Sequence, residues 1–357
     1  MIQEQFQQLL RQLTLKDRIG ILHDFDPDGI CSAAVMADLV ERASKAKVVA
    51  HDILDRKIEL KRFTQFIQDH QLTLLITMDV STDMAPEVLN ALSIPVLVID
   101  HHPLYEGPFR SDVLIIKPQL LFEQVDAAKY STSYLVNYLS EGLADISNDD
   151  WKIATGVIAD IGYELHKDYV DHVFAALGIE VQADIFDTLL GQLAILINNS
   201  VIYDIHNAHV AFTLLRQAKK PQELFTSSLA ADSAAIQSAI ETYVGQVKQK
   251  ATYFADVIYY HIDSNYNIKK PISTILSLAH PHNTIITYST VGNLIHVSAR
   301  RGDGKVPLDK ILAQAIKNIE GAFSGGHPVS SGARIPKDKY HIFEKRLIHL
   351  LKTYKGS

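Results

Sequence analysis

Three short apolar runs in the first hundred residues each stop on acid. Residues 18–22 run to Asp24-Phe25-Asp26-Pro27-Asp28-Gly29, residues 72–78 end at Asp79, and residues 95–99 end at Asp100-His101-His102. Helical patterns over 31–46, 58–70 and 86–91 separate them, with further apolar runs at 48–50 and 113–116. Continuous apolar strands alternating with helices specify a parallel sheet covered on both faces. The expected fold class is therefore α/β, with a doubly wound parallel sheet. Ligands of such sheets bind beyond the carboxyl ends of the strands, and the three acidic segments all follow strands, so they share that rim.

The rest of the chain reads differently. Residues 1–17 form an amphipathic helix, and 131–196 are helical, with an apolar helix at 151–161. Residues 206–232 contain Pro221 with scattered Ser and Ala and no strong periodicity, and read as a connector. A long helix at 233–254, strands at 256–260, 284–288 and 294–297, a helix at 308–319, a Gly-rich loop and a basic tail follow. The expected organisation is a metal-binding catalytic domain at 1–205 and a smaller α/β substrate domain at 233–357, reasonable for 357 residues.

With 41 acidic against 34 basic residues, for a net charge of −7, the chain lacks the overall positive coat of a duplex-gripping protein. The single cysteine, Cys31, excludes an internal disulfide and Cys-based metal clusters, and reads as a small buried helix residue. There is no basic segment leading into an apolar leader, and no apolar run nears the roughly 20 residues that cross a bilayer. The expectation is a cytoplasmic protein without a membrane partner.

Taken alone, Asp24, Asp26 and Asp28 fit a solvated Asx-rich turn, Asp79 a helix cap, and Asp100-His101-His102 a turn with exposed histidines. Taken together on one rim, their mixed carboxylate and imidazole donors suit manganese, iron or zinc. Several acids able to bridge suggest two ions, the usual device for phosphoryl chemistry. Further on, Ser324-Gly325-Gly326-His327 allows backbone N–H groups to approach an anion. Arg300 and Arg301 place two guanidinium groups just past a strand, and Arg is the preferred fork for phosphate oxygens. Bland alternatives are a flexible loop for the first and a surface turn for the second.

These segments, in this order, resemble the DHH phosphoesterase family, named for the triplet that stands here as Asp100-His101-His102. The last part resembles the family's associated C-terminal domain, whose mark is the loop written here Gly325-Gly326-His327. Asp24-Phe25-Asp26-Pro27-Asp28-Gly29 is most similar to the RecJ-like nuclease branch; other branches put a histidine first, which makes His23 the alternative to Asp24. The resemblance implies two divalent ions, manganese foremost. It implies that Asp24 and Asp26 bind one metal, that Asp79 bridges, and that Asp28, His101 and Asp160 hold the second. Asp100 would orient a histidine, His102 would contact the substrate phosphate, and Arg300 and His327 would hold the phosphate or nucleotide. The implied substrate is single-stranded nucleic acid, an oligonucleotide or a small nucleotide.

Overall fold

The computed structural model describes residues 2–54, 58–123 and 126–354, and the chain divides into two compact units, Met1–Ala234 and Ala235–Ser357. The first unit holds a five-stranded sheet of β1 (Arg18–His23), β2 (Lys47–Ile53), β3 (Leu74–Met78), β4 (Val96–Ile99) and β5 (Val113–Ile116). All its pairings are parallel, in the order β2-β1-β3-β4-β5. Neighbouring residues of a strand point to opposite faces, and here both faces are covered. Ile19, Ile21, Leu74 and Ile76 join one core, beneath the helices Pro27–Ala43, Thr132–Ser140, Asp150–Ala159 and Leu189–Tyr203. Leu22, Leu75 and Val98 join the other, beneath Leu60–His70 and Pro86–Ala91. This two-sided burial explains why the runs are apolar throughout rather than alternating.

The strand order reverses at β1. The helix after β1 covers one face and the helix after β3 covers the other, so a crevice opens between the carboxyl ends of these two neighbours. Asp24 follows β1 and Asp79 follows β3.

Two expectations need correction in this unit. The helix after β1 starts at Pro27, not at residue 31, because Asp26 caps it and Pro27 takes its first position. Asp28 and Gly29 therefore belong to a helical turn rather than a loop. Residues 206–232 are not a connector. Asn207–Gln217 is a helix whose Ala208, Ala211, Phe212 and Leu215 enter the first unit's main core, and Leu229 already begins the long helix Leu229–Lys250.

The second unit is built on a mixed six-stranded sheet of β6 (Thr252–Phe254), β7 (Val257–His261), β8 (Thr284–Val291), β9 (Leu294–Arg300), β10 (Phe323–His327) and β11 (Ser330–Pro336), in the order β10-β11-β9-β8-β7-β6. Its apolar face, including Ile286, Val297, Ala299, Ala333 and Ile335, packs with residues of the helices Leu308–Ile316 and Tyr340–Thr353. The helix Lys269–Ala279, which the sequence reading passes over, lies on the opposite face, where Ser273 Oγ meets Ser298 Oγ of β9 at 3.0 Å. Residues 235–357 carry 16 Lys and Arg against 8 Asp and Glu, a net +8; residues 1–234 carry 18 against 33, a net −15. Among the described residues no helix is long and apolar enough to cross a membrane.

Candidate metal centre

The end of β1 is folded back on itself. The Asp24 amide still reaches Met78 O of β3 at 3.2 Å, and Asp26 Oδ1 accepts from the Gly29 amide at 3.0 Å. A side chain at Gly29 would put its Cβ 2.7 Å from Asp24 O, so only glycine lets the first helical turn press against that strand end. Asp28 lies in the same turn, 1% exposed. Its carboxylate accepts from the Thr132 and Ser133 amides at 2.6 and 2.9 Å, at the N-terminus of the helix Thr132–Ser140, where the backbone dipole favours negative charge. Burial still pushes its pKa up.

Asp79 turns off β3 with φ of 62°, a left-handed conformation that aspartate tolerates better than most residues. Its amide donates to Ile99 O at 2.9 Å, and its Oδ1 accepts from Thr132 Oγ1 at 2.9 Å. It is 2% exposed. Burial, then the charges of Asp28 and Asp26, raises its pKa well above the usual carboxylate range.

His101 stands between these acids. Its Nε2 is 3.3 Å from Asp79 Oδ1 and 3.3 Å from Asp160 Oδ2. Burial alone would lower its pKa, but Asp79, Asp160 and Asp28 outweigh that and raise it well above the ordinary value. Its Nδ1 is buried without a hydrogen-bond partner. Asp160 caps the C-terminal end of the helix Asp150–Ala159. That is the negative end of the helix dipole, where a carboxylate is unfavourable by about 0.3–1 kcal/mol unless a cation answers it. The helix comes this close because residue 156 is glycine: a Cβ there would lie 2.1 Å from Ser133 Oγ and 2.8 Å from Asp28 Oδ1.

The donors fall into three overlapping groups: Asp24, Asp26 and Asp79; Asp28, His101 and Asp160; Asp79, His101 and His102. Within each, candidate ligand atoms lie within 4.8 Å of one another. Buried carboxylates crowded enough to raise each other's pKa, with an imidazole among them, fit hard or borderline divalent cations. His23 joins none of these groups among the described residues. It is fully buried, its Nδ1 lies 2.6 Å from Asp24 O and its Nε2 3.3 Å from His51 Nδ1, and it stacks on His51 and Phe212. Burial lowers its pKa to about 4, so it sits there neutral.

His102 is held from behind. Its Nδ1 lies 2.7 Å from Asp100 Oδ1, which fixes the ring and leaves Nε2 as the other face of the imidazole. Asp100 in turn meets Lys117 Nζ at 2.8 Å, and the same ammonium lies 2.9 Å from Asp83 Oδ1, with Lys117, Asp83 and Asp100 side chains all 0% exposed. Burial would raise the Asp100 pKa; His102 and Lys117 hold it well below the usual range instead. Neither Lys117 nor the Thr132 and Ser133 cradle figures in the sequence reading. Their signals are a charged residue directly after β5 and a Ser-Thr-Ser run opening an apolar helix.

In the second unit two expectations change. The Gly-rich segment is not a loop: Phe323–His327 is β10, an edge strand paired with β11 through Gly325 with Gly332, Gly326 with Ser331 and His327 with Ser330. Gly326 has φ of 136°, and a Cβ there would meet Ser330 O at 2.6 Å. Arg300 does not lie past the strand but closes β9, opposite Ser330, so Arg300, Ser330 and His327 form one row across three strands. Its Nε is buried without a partner. Arg301 turns away and is committed to Asp256, Thr284 and Asp303.

Residues 18–177 match the DHH family, N-terminal domain. Over that stretch the chain is similar to the DHH family. Three solved structures share this fold. RecJ in complex with Mn2+ from Thermus thermophilus superposes with a TM-score of 0.74 and 18% identity, over 99% of this chain but 55% of that one. The chain thus spans about half the length of that RecJ. Exonuclease RecJ bound to manganese gives 0.69 and 18%, over 99% and 95%. The pGpG-specific phosphodiesterase PggH from Vibrio cholerae gives 0.53 and 12%, over 94% and 99%. No curated protein matches the sequence.

Proposed function

We propose that this chain, a metal-dependent phosphoesterase, uses two divalent cations, manganese foremost, to hydrolyse phosphodiester bonds of single-stranded nucleic acid or oligonucleotides. The observation that carries the reading is the meeting of two donor groups, Asp24/Asp26/Asp79 and Asp28/His101/Asp160, where His101 Nε2 and Asp79 Oδ1 stand 3.3 Å apart. Asp24 and Asp26 would hold one cation and Asp28, His101 and Asp160 the other, with Asp79, within reach of both groups, as the ligand they would share. Divalent cations supply Lewis-acid polarisation of phosphoryl oxygens and acidification of water. Asp100 keeps the proton of His102 on Nδ1, so Nε2 faces the phosphoryl group. Lys117 keeps Asp100 ionised for that task. From the second unit, Arg300, His327 and the backbone of Gly325 and Gly326 contact phosphate oxygens, while Arg301 stiffens the end of β9. The two RecJ structures with bound manganese support the choice of metal.

A second reading is a phosphoesterase for small substrates: short oligoribonucleotides, cyclic dinucleotides, a nucleotide bisphosphate or polyphosphate. The likeness to the pGpG-specific phosphodiesterase, which spans nearly all of both chains, favours it. A substrate series from dinucleotide to long single strands of DNA and RNA, with and without manganese, separates the two. Manganese-dependent cleavage that persists on long strands supports the first reading, and a peak at two or three nucleotides supports the second. No cleavage of any substrate by protein that binds manganese in calorimetry would sink both.

A further inference from the structure

The second unit has a sheet face rich in positive charge. Residues opposite each other on neighbouring strands share a face. The register therefore puts His296 and Arg334 side by side, two residue pairs away from Gly332 and Ser298 and four from Ser330 and Arg300. The helix Lys269–Ala279 starts on this face: Thr287 Oγ1 of β8 donates to Lys269 O at 3.0 Å. Lys269 is 8% exposed, and its ammonium donates to the side-chain oxygen of Asn267. Among the described residues no carboxylate forms an ion pair with Lys269, His296, Arg300 or Arg334, although Arg301 next door has two. A buried ammonium without an anion is unfavourable. Accordingly the Lys269 pKa falls to about 8, through burial and then the charge of Arg334, and that of His296 falls through burial, Lys269 and Arg334. The first turn of a helix adds its own positive potential. A purely structural role would pair these cations, as Arg301 is paired.

We propose that Lys269, His296 and Arg334 form a second anion-binding subsite, which takes a phosphate of a single-stranded oligonucleotide other than the one held by Arg300 and His327. His296 and Arg300 are four residues apart on β9, about 13 Å at ~3.3 Å per residue. Phosphates of a stacked strand follow each other at about 3.4 Å along its axis, so a ligand touching both positions spans more than one nucleotide step. This deepens the phosphodiesterase reading and rests on it for the identity of the ligand. The subsite makes the protein prefer strands longer than a dinucleotide.

The test is fluorescence anisotropy with 5′-labelled hexathymidylate and dithymidylate on the full chain, without added metal so that nothing is cleaved. In Arg334→Gln, at an exposed position, and in Lys269→Met, the hexamer-to-dimer affinity ratio is expected to fall about tenfold. The slope of log Kd against log salt should drop by about one for each cation removed, and Arg334→Lys should restore it. An unchanged ratio, an equal loss on both probes, or an unchanged slope overturns the subsite. If Lys269→Met fails to fold, the two Arg334 variants decide alone. Hexamer binding that is normal in a protein unable to hydrolyse the hexamer with manganese refutes the hydrolase reading and leaves the subsite standing. Failure of the wild type to bind the hexamer, or displacement by inorganic polyphosphate alone, refutes the nucleic-acid occupant.

Discussion

The two units carry opposite charge, and each concentrates part of it in one patch. The first unit, at −15, gathers Asp28 and Asp79 in near-complete burial beside Asp24, Asp26 and Asp160. The second, at +8, gathers Lys269, Arg300 and Arg334 at one sheet face, and among the described residues no carboxylate forms an ion pair with them. Elsewhere both units neutralise buried charge carefully, as Lys117 with Asp83 and Asp100, and Arg301 with Asp256 and Asp303. Like charge is crowded in these two patches instead. The first calls for cations and the second for anions, and a phosphodiester with its metal ions contains both.

The sharpest way to break this comparison is Asp79→Asn, which keeps a residue tolerant of the left-handed backbone and removes the bridging charge. Turnover should fall by about 10³-fold, while the metal-free protein melts at a higher temperature, because a buried, crowded carboxylate has gone. Unchanged turnover would separate the acidic patch from catalysis. Lys117→Met attacks a compensated site instead. It strands two buried carboxylates and should cost about 3–5 kcal/mol, with chemical denaturation as the readout and Asp83→Asn as a partial rescue. Next comes Gly156→Ala, whose methyl group collides with Ser133 and Asp28. A loss of about 1–3 kcal/mol is expected, together with weaker manganese binding by calorimetry, since the collision falls on Asp28, a proposed ligand.

The two arginines at the end of β9 sharpen the comparison within one unit. Arg301→Ala should lower stability by about 1–3 kcal/mol, having left two acids without their partner. Arg300→Ala should leave the melting temperature nearly unchanged and raise KM about tenfold, read from thermal unfolding beside steady-state kinetics. The reverse pattern would exchange their roles.

The smallest effect is a pH dependence. The folded pKa values of Asp28 and Asp79 stand above the ordinary carboxyl value, so the folded state binds protons that the unfolded chain has lost. His101 is raised as well, and its contribution is full below about 6.5 and lost above. Both shifts have one sign: metal-free protein loses stability at this site as pH rises from the carboxyl range through neutrality. Metal ligation requires the deprotonated groups, so the stabilisation by manganese should grow over the same interval. Melting curves at several pH values, with and without manganese, check this; a metal-free protein gaining stability from this site at high pH contradicts it.

Much of this was legible in the sequence because acid placed directly after a buried strand is conspicuous. Three strands of the parallel sheet and the placing of Asp24, Asp79 and His101 on one rim follow from that pattern, and β2 and β5 follow from their apolar runs alone. Other elements were hidden by local chemistry that points two ways. Asp-Pro-Asp-Gly reads as a turn, although a capping acid with proline at the first position equally starts a helix. Ala208 and Ala211 hardly register in an apolar pattern, so their helix passes for a connector. Glycine is rare within strands, which hid β10. Lys117 gives no signal beyond a charge after an apolar run, and only the packing shows an ammonium sealed between two acids.

The backbone at Asp79 has one more implication. Asparagine and glycine accept its φ of 62° at least as readily as aspartate, and each lies a single base change from an aspartate codon. A descendant could thus surrender its chemistry at this corner without unravelling the sheet, and persist as a well-folded but silent scaffold. Inheritance of the architecture and inheritance of the reaction are separable at that one turn.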